Sequence, residues 1–283
     1  MVAVLFVTVI AGCGSASPSA GGVNGSTTAS GWSDTTGDPS GSDPTSDLAS
    51  DPSTDPSTDP STVAPSTLPP IAPAVPGPAH VLNRVPGAVG KVALTFDDGW
   101  CGDCIGTMVA ALERTGAHVT FCPNGTYGPV WQPYVDRIRA LVARGQLEIC
   151  NHTWDHPQIT RVSAARLTDE ITHNEQWIAD TFGVTARPYF RPPYGAHNRA
   201  TDAVAGRLGY TTILAWSSTL SDSVLQPPGT ILDQLQHNLV PGGIVLGHLN
   251  YPTTGQIFDQ ILAVLAQRGL VPVTVAELVA AGG

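Results

Sequence analysis

Basic residues are missing from the first 83 positions of this 283-residue chain; Arg84 is the first. Over the whole length 13 Lys and Arg stand against 23 Asp and Glu, a net charge of −10. Seven of the acids (Asp34, Asp38, Asp43, Asp47, Asp51, Asp55 and Asp59) precede Arg84, so the remainder carries only about −3. A basic face for nucleic acid is therefore not indicated. The apolar run that opens the chain, residues 1–12, is too short to span a bilayer as a helix. It also lacks the Lys or Arg that usually opens a secretory signal.

What stands at the start is nevertheless patterned. Ile10-Ala11-Gly12-Cys13 resembles the bacterial lipobox, in which small residues precede a cysteine that is lipidated after cleavage. Residues 1–12 are expected to be a lipoprotein signal peptide, or else a chance apolar terminus. The first reading makes Cys13 the lipidation site and anchors the exported chain to the outer face of the cell membrane. Residues 13–80 are rich in Ser, Thr, Pro, Gly and Asp, including tandem Asp-Pro-Ser-Thr units from Asp51 to Thr62. So little apolar surface cannot offset the entropy of ordering it. Frequent proline makes it an extended, disordered tether.

Residues 81–283 alternate short apolar runs with amphipathic segments, which predicts one ordered α/β domain. Strands are expected near 91–96, 117–122, 146–150, 187–190, 209–215, 243–248 and 270–274. Ile105, Met108, Val109 and Leu112 make one helical face, closed by Gly116. Val135, Ile138, Leu141 and Val142 make another before Gly145; Leu167, Ile171, Asn174 and Ile178 a third before Gly183. Ile257, Ile261, Val264 and Leu265 make a fourth before Gly269. Seven strand–helix units argue for a parallel sheet closed, or nearly closed, into a (β/α) barrel, with function on the loops after the strands.

The polar residues gather at those loops. The first strand ends in Thr95-Phe96-Asp97-Asp98-Gly99, and neighbouring side chains on a strand point to opposite sides, so the two acids should have different tasks. Two acids at a strand tip suit one to hold a metal and one to move a proton, although Asp-Asp-Gly is also an ordinary turn. After the third strand, His152 and His156 lie four apart, as on one face of a helical turn able to share an ion. Arg191-Pro192-Pro193-Tyr194-Gly195 follows the fourth strand and Gly247-His248 the sixth.

In order and spacing these motifs resemble the polysaccharide deacetylase family, the NodB-homology or carbohydrate esterase family 4 group. The resemblance covers about residues 90–280. It implies a distorted (β/α) barrel, usually of seven strands, and a metal-dependent hydrolase that removes acetyl groups from a polysaccharide, N-acetyl rather than O-acetyl. It implies that Asp98, His152 and His156 hold a divalent ion, zinc first, with cobalt or another first-row ion as alternatives. Asp97 would be the general base, oriented by Arg191. The backbone N–H of Tyr194 would stabilise the oxyanion and His248 would be the general acid. Where relatives often carry Asp-Trp after the fifth strand, this chain reads Asp222-Ser223. Asp222 is then either the acid that tunes His248 or an ordinary loop residue.

Trp100, Trp131, Trp154, Tyr194 and Trp216 are candidates for stacking on sugar, Trp100 foremost, with Pro193 and Tyr194 shaping the pocket. Beyond Cys13, four cysteines allow three pairings. Trp100-Cys101-Gly102-Asp103-Cys104 has the spacing of a redox dithiol but not its βαβ setting. Cys101–Cys104 and Cys122–Cys150 disulfides are expected, the latter because both residues end what should be adjacent strands. The functional readings are thus a deacetylase acting on a cell-envelope or extracellular glycan such as peptidoglycan or a chitin-like polymer, a carbohydrate-binding pseudoenzyme, or a thiol oxidoreductase using Cys101 and Cys104. The chain is expected to act as a monomer.

Overall fold

A computed structural model describes residues 73–283. The expected signal peptide, Cys13 and the linker up to residue 72 lie outside the described residues. The first elements are β1 (His80–Leu82), β2 (Lys91–Asp98), α1 (Gly102–Thr115), β3 (Val119–Pro123), α2 (Gly128–Trp131) and α3 (Val135–Ala143). Next come β4 (Leu147–Ile149), α4 (Ala164–Phe182), β5 (Tyr189–Phe190), α5 (Arg199–Arg207), β6 (Thr212–Leu214) and β7 (Ser218–Thr219). The chain closes with α6 (Pro228–Asn238), β8 (Ile244–His248), α7 (Pro252–Gln256), α8 (Phe258–Gln267), β9 (Val271–Val273) and α9 (Val275–Ala281).

Every strand pairing is parallel. β2 lies between β3 and β8 and is joined at its base by β9; β4 extends the β3 side and β7 the β8 side. A second group runs β1-β6-β5. A parallel bridge from Asn151 to Phe190 joins the two groups on one side, and an antiparallel one from Arg84 to Gly243 joins them on the other. The result is the expected barrel of parallel strands. β1 and β7 are additions to the sequence reading: segments of three and two residues are too short to carry a period. The Gly77 amide also bonds to the Gly206 carbonyl, so contact with the barrel begins ahead of residue 81.

The helices obey their patterns. Ile105, Met108, Val109 and Leu112 are buried, the Cys101 sulfur caps the start of α1, and Gly116 ends it in the left-handed conformation. Ser163 and Gly183 do the same for α4.

The two-residue period of β2 decides what faces where. Val92, Leu94 and Phe96 point to the helix layer, where Phe96 packs edge-on against Phe121 and Phe258. Each such buried aromatic contributes about 1.5–3 kcal/mol. Ala93 belongs to the inner cluster with Cys122, Cys150 and Leu214. Thr95 and Asp97 share the parity of Ala93, which sets Asp97 at the upper end of the barrel interior.

Candidate metal centre and acid–base site

At the end of β2 the strand period breaks. Asp98 has φ 68°, and that left-handed residue turns its carboxylate into the same cleft as Asp97. The expectation that alternation would part the two acids is corrected here. Gly99 makes the turn possible: its φ is +89°, and a Cβ there would lie 2.1 Å from the Trp131 ring.

His152 and His156 also differ from the sequence reading. The segment between them is a loop, with Thr153 at φ 69° and His156 at φ 59°, and not a helical turn. It is held from below by a buried amide network. Asn124 Nδ2 donates to the carbonyls of His152 and Thr153, and Asn151 Oδ1 accepts from the Thr153 amide. Asn174 Nδ2 on α4 donates to Asn151 Oδ1, and Glu170 Oε2 accepts from the amides of Trp154 and Asp155.

Asp98, His152 and His156 each offer one ligand atom, all within 4.8 Å of one another. His152 Nδ1 lies 2.7 Å from the carbonyl oxygen of Arg191, which can only accept, so Nδ1 carries the hydrogen. A neutral ring then presents the Nε2 lone pair to Asp98 Oδ1 at 3.3 Å, with His156 Nε2 at 3.5 Å from the same oxygen. That oxygen is buried and has no hydrogen bond. Acceptors facing one another call for a cation between them, and one carboxylate with two imidazoles is a donor set for a first-row divalent ion. The residues fit a metal.

The electrostatics of Asp98 and His156 agree. Burial pushes the Asp98 carboxyl up, but the neighbouring His152 and His156 imidazoles and the Asn250 amide together hold it well below the usual range. For His152 the charges of Asp97 and Asp98 overcome burial and raise it. Burial and the neighbouring His152 pull His156 down to about 4, so it stays neutral, as a ligand must.

Asp97 is held differently. Arg191, 0% exposed, donates from one terminal nitrogen to both Asp97 oxygens at 2.9 Å. Its other nitrogens donate to Thr95 Oγ1 and the Leu214 carbonyl, and Trp216 lies 5.6 Å under the guanidinium. The buried charge is thus fully paired.

His248 faces the cleft from the end of β8. Its Nδ1 is 2.9 Å from Asp222 Oδ1, and Asp222 Oδ2 accepts from the His248 amide and from Thr254 Oγ1. Asp222 thus contacts His248 through both carboxylate oxygens. Burial lowers His248, but the Asp222 hydrogen bond and the charges of Asp97, Asp222 and Asp98 outweigh it, and the net shift is upward.

The cleft encloses about 670 Å³, lined by Asp97, Asp98, His152, His156, His248, Tyr194, Trp216, Leu246 and the loop from Ser221 to Gln226. Tyr194, at φ 59° in the Pro193–Gly195 turn, stands 4.5 Å from His156, ring to ring. Gly195 lies against Trp216, where a Cβ would come within 2.7 Å of the indole. Ser223 and Pro192 line the wall, while Pro193 is buried and does not line it. Trp100 lies outside the lining, Trp131 is core, and Trp154 stacks on His173. Cys101–Cys104 and Cys122–Cys150 are disulfides, as the sequence suggested.

Sequence reasoning missed Asn250 and Thr254. Asn250 Nδ2 donates to Asp98 Oδ2 at 2.7 Å while its Oδ1 accepts from the Gly99 amide. Neither residue lies in a motif. Asn174 did leave a signal, being an amide on the apolar face of a helix, where burial demands partners.

The family profile described as polysaccharide deacetylase matches residues 84–213. The chain is similar to the peptidoglycan-N-acetylglucosamine deacetylase PgdA of Listeria monocytogenes, 30% identical over 192 residues, covering 66% of this chain and 38% of that protein. The chain thus spans well under half the length of that relative. It is similar to a solved family 4 carbohydrate esterase from Streptomyces lividans, 30% identical, TM-score 0.57, covering 65% of this chain and 91% of that one. In fold it also resembles a carbohydrate esterase family 4 pseudoenzyme from Bacillus anthracis, 22% identical, TM-score 0.63, covering 72% of this chain and 69% of that one. With four strand ends bringing an aspartate pair, two histidines, an arginine and a third histidine around one cleft, this chain belongs to the polysaccharide deacetylase family.

Proposed function

We propose that the chain is a metal-dependent hydrolase that removes N-acetyl groups from a cell-envelope or extracellular polysaccharide, such as peptidoglycan or a chitin-like glycan. The convergence of the Asp97–Arg191 pair, the Asp98–His152–His156 cluster and the His248–Asp222 pair on one cleft carries this reading. A divalent ion held by Asp98, His152 and His156, zinc first and cobalt as an alternative, would supply Lewis acidity at the acyl carbonyl. Asp97, fixed by Arg191, takes a proton from the attacking water as its oxygen bonds to the acyl carbon. Tyr194, in the turn lining the cleft, offers its backbone N–H to the developing oxyanion. His248 then gives its proton to the sugar nitrogen as the C–N bond breaks, leaving acetate and a free amine.

His248, held by Asp222 at the cleft, is placed to serve as the acid that an amide needs, since an amine departs only with a proton. Four cysteines locked in two disulfides fit an oxidising compartment. Together with the lipobox-like Ile10-Ala11-Gly12-Cys13, this supports an exported, membrane-tethered protein. Cys101 and Cys104 do not line the cleft where the acid–base groups converge, which favours hydrolysis over thiol chemistry there. Acetate release from a panel of acetylated polymers, with metal content measured on the same sample, tests the proposal. Asp98→Ala is expected to abolish both bound metal and acetate release; release that survives removal of the metal would refute the mechanism.

A further inference from the structure

Among the described tryptophans Trp100 alone is exposed, with 44% of its surface open. An exposed indole is unusual where the flanking backbone is this firmly fixed. On one side, the Gly99 amide is bound by Asn250 Oδ1 and its Cα is pressed against Trp131. On the other, Cys101 is tied to Cys104, and its sulfur accepts from the Cys104 amide at the start of α1. Tyr251 packs against Trp100 with ring centroids 5.4 Å apart and an interplanar angle of 84°. Rings set perpendicular can cover at most one face of the indole, and 44% of the residue remains open. Both residues adjoin the metal cluster along the chain, Trp100 two residues past Asp98 and Tyr251 next to Asn250, which holds Asp98, yet neither lines the cleft.

We propose that Trp100 and Tyr251 form a shelf that binds a sugar unit of the glycan lying outside the cleft, beyond the unit that loses its acetyl group. This rests on the deacetylase reading. The electron-rich face of an indole attracts the C–H face of a neutral pyranose, which carries a partial positive charge. A ring held in place before binding loses little freedom on binding. The Cys101–Cys104 bridge has no place in the acid–base chemistry, and here it serves as the clamp that sets the shelf. The shelf favours longer chains, because a short oligomer filling the cleft does not reach it.

The test uses the full chain with β-1,4-linked N-acetylglucosamine oligomers of two and six units. Trp100→Ala is expected to lower kcat/KM about tenfold more on the hexamer than on the dimer, mainly through KM. Trp100→Phe should recover most of the loss, and the Cys101→Ser/Cys104→Ser double variant should fall between. Equal losses on both oligomers, or none on the hexamer, would overturn the shelf. Hexamer binding to Asp97→Asn, with and without Trp100→Ala, provides a readout without turnover, and about tenfold weaker binding is expected on loss of the indole. Equal or undetectable binding in the two overturns the shelf. A wild-type chain that binds hexamer in a Trp100-dependent way yet releases no acetate would sink the deacetylase reading and leave the shelf standing.

Discussion

The two ends of the barrel use the left-handed backbone in opposite ways. At the base, in the turns that lead into the strands, seven residues have positive φ and all are glycine. At the rim, five such residues keep a side chain: Asp98, Thr153, His156, Tyr194 and Ser221. A side chain in that conformation costs about 1–2 kcal/mol. The rim therefore stores on the order of 5 kcal/mol, a large fraction of the net stability of an ordinary domain. Two of the five are metal-cluster residues, Tyr194 lies against His156, and Ser221 precedes the acid that holds His248. The base is built for stability, whereas the rim gives some up so that these side chains point into the cleft.

The sharpest way to break the contrast is at Asp97. Asp97→Asn keeps the shape, so bound metal should persist while kcat falls about 10²–10⁴-fold, the usual worth of a positioned base. Metal analysis beside acetate kinetics separates it from Asp98→Ala. Next is Asn250→Ala, which frees Asp98 Oδ2. Competition with a chelator should show metal binding weakened about 10–100-fold, the usual effect of removing such a supporting hydrogen bond.

Asp222→Asn acts on pH dependence. His248 must be protonated to act as acid, so activity is lost as pH rises through its raised pKa. Asp222 supplies the largest upward influence on that pKa, so in the variant the alkaline limb of kcat should move to lower pH. A limb that stays put would remove His248 from the acid role. The smallest effects compare the two ends directly. Gly116→Ala, at the base, should cost about 1 kcal/mol and lower Tm by about 2–4 °C without touching acetate release. Ser221→Gly, at the rim, should leave Tm within about 1–2 °C, since relief of strain is offset by a freer unfolded chain. Its kcat should nonetheless drop, because Asp222 loses its rigid lead-in.

How far the sequence could be read follows the same division. Helix faces such as Ile105, Met108, Val109 and Leu112 were legible because burial imposes a period, and Gly116 and Gly183 because a left-handed cap almost requires glycine. The chemical residues were legible because their types and spacing recur as motifs. The arrangement of the rim was not. A left-handed Asp98 is invisible to a rule that assumes strand alternation, and the loop of His152 and His156 mimics a helical spacing of four. Asn250 and Thr254 are single polar residues whose partners lie 152 and 32 positions away, so no local pattern could reveal them. Trp100 stands out by its place after Gly99, but that it lies outside the cleft and packs on Tyr251 is visible only in the structure.

β1 has a practical consequence. It covers one edge of β6 along Thr212–Leu214, and Arg84 just beyond it bridges to Gly243. A fragment trimmed to start at Arg84, where the family match begins, would leave that edge with bare amides and carbonyls, ready to recruit a strand from another molecule. Anyone cutting this protein down for crystallisation or display should keep the residues from Gly77 onward.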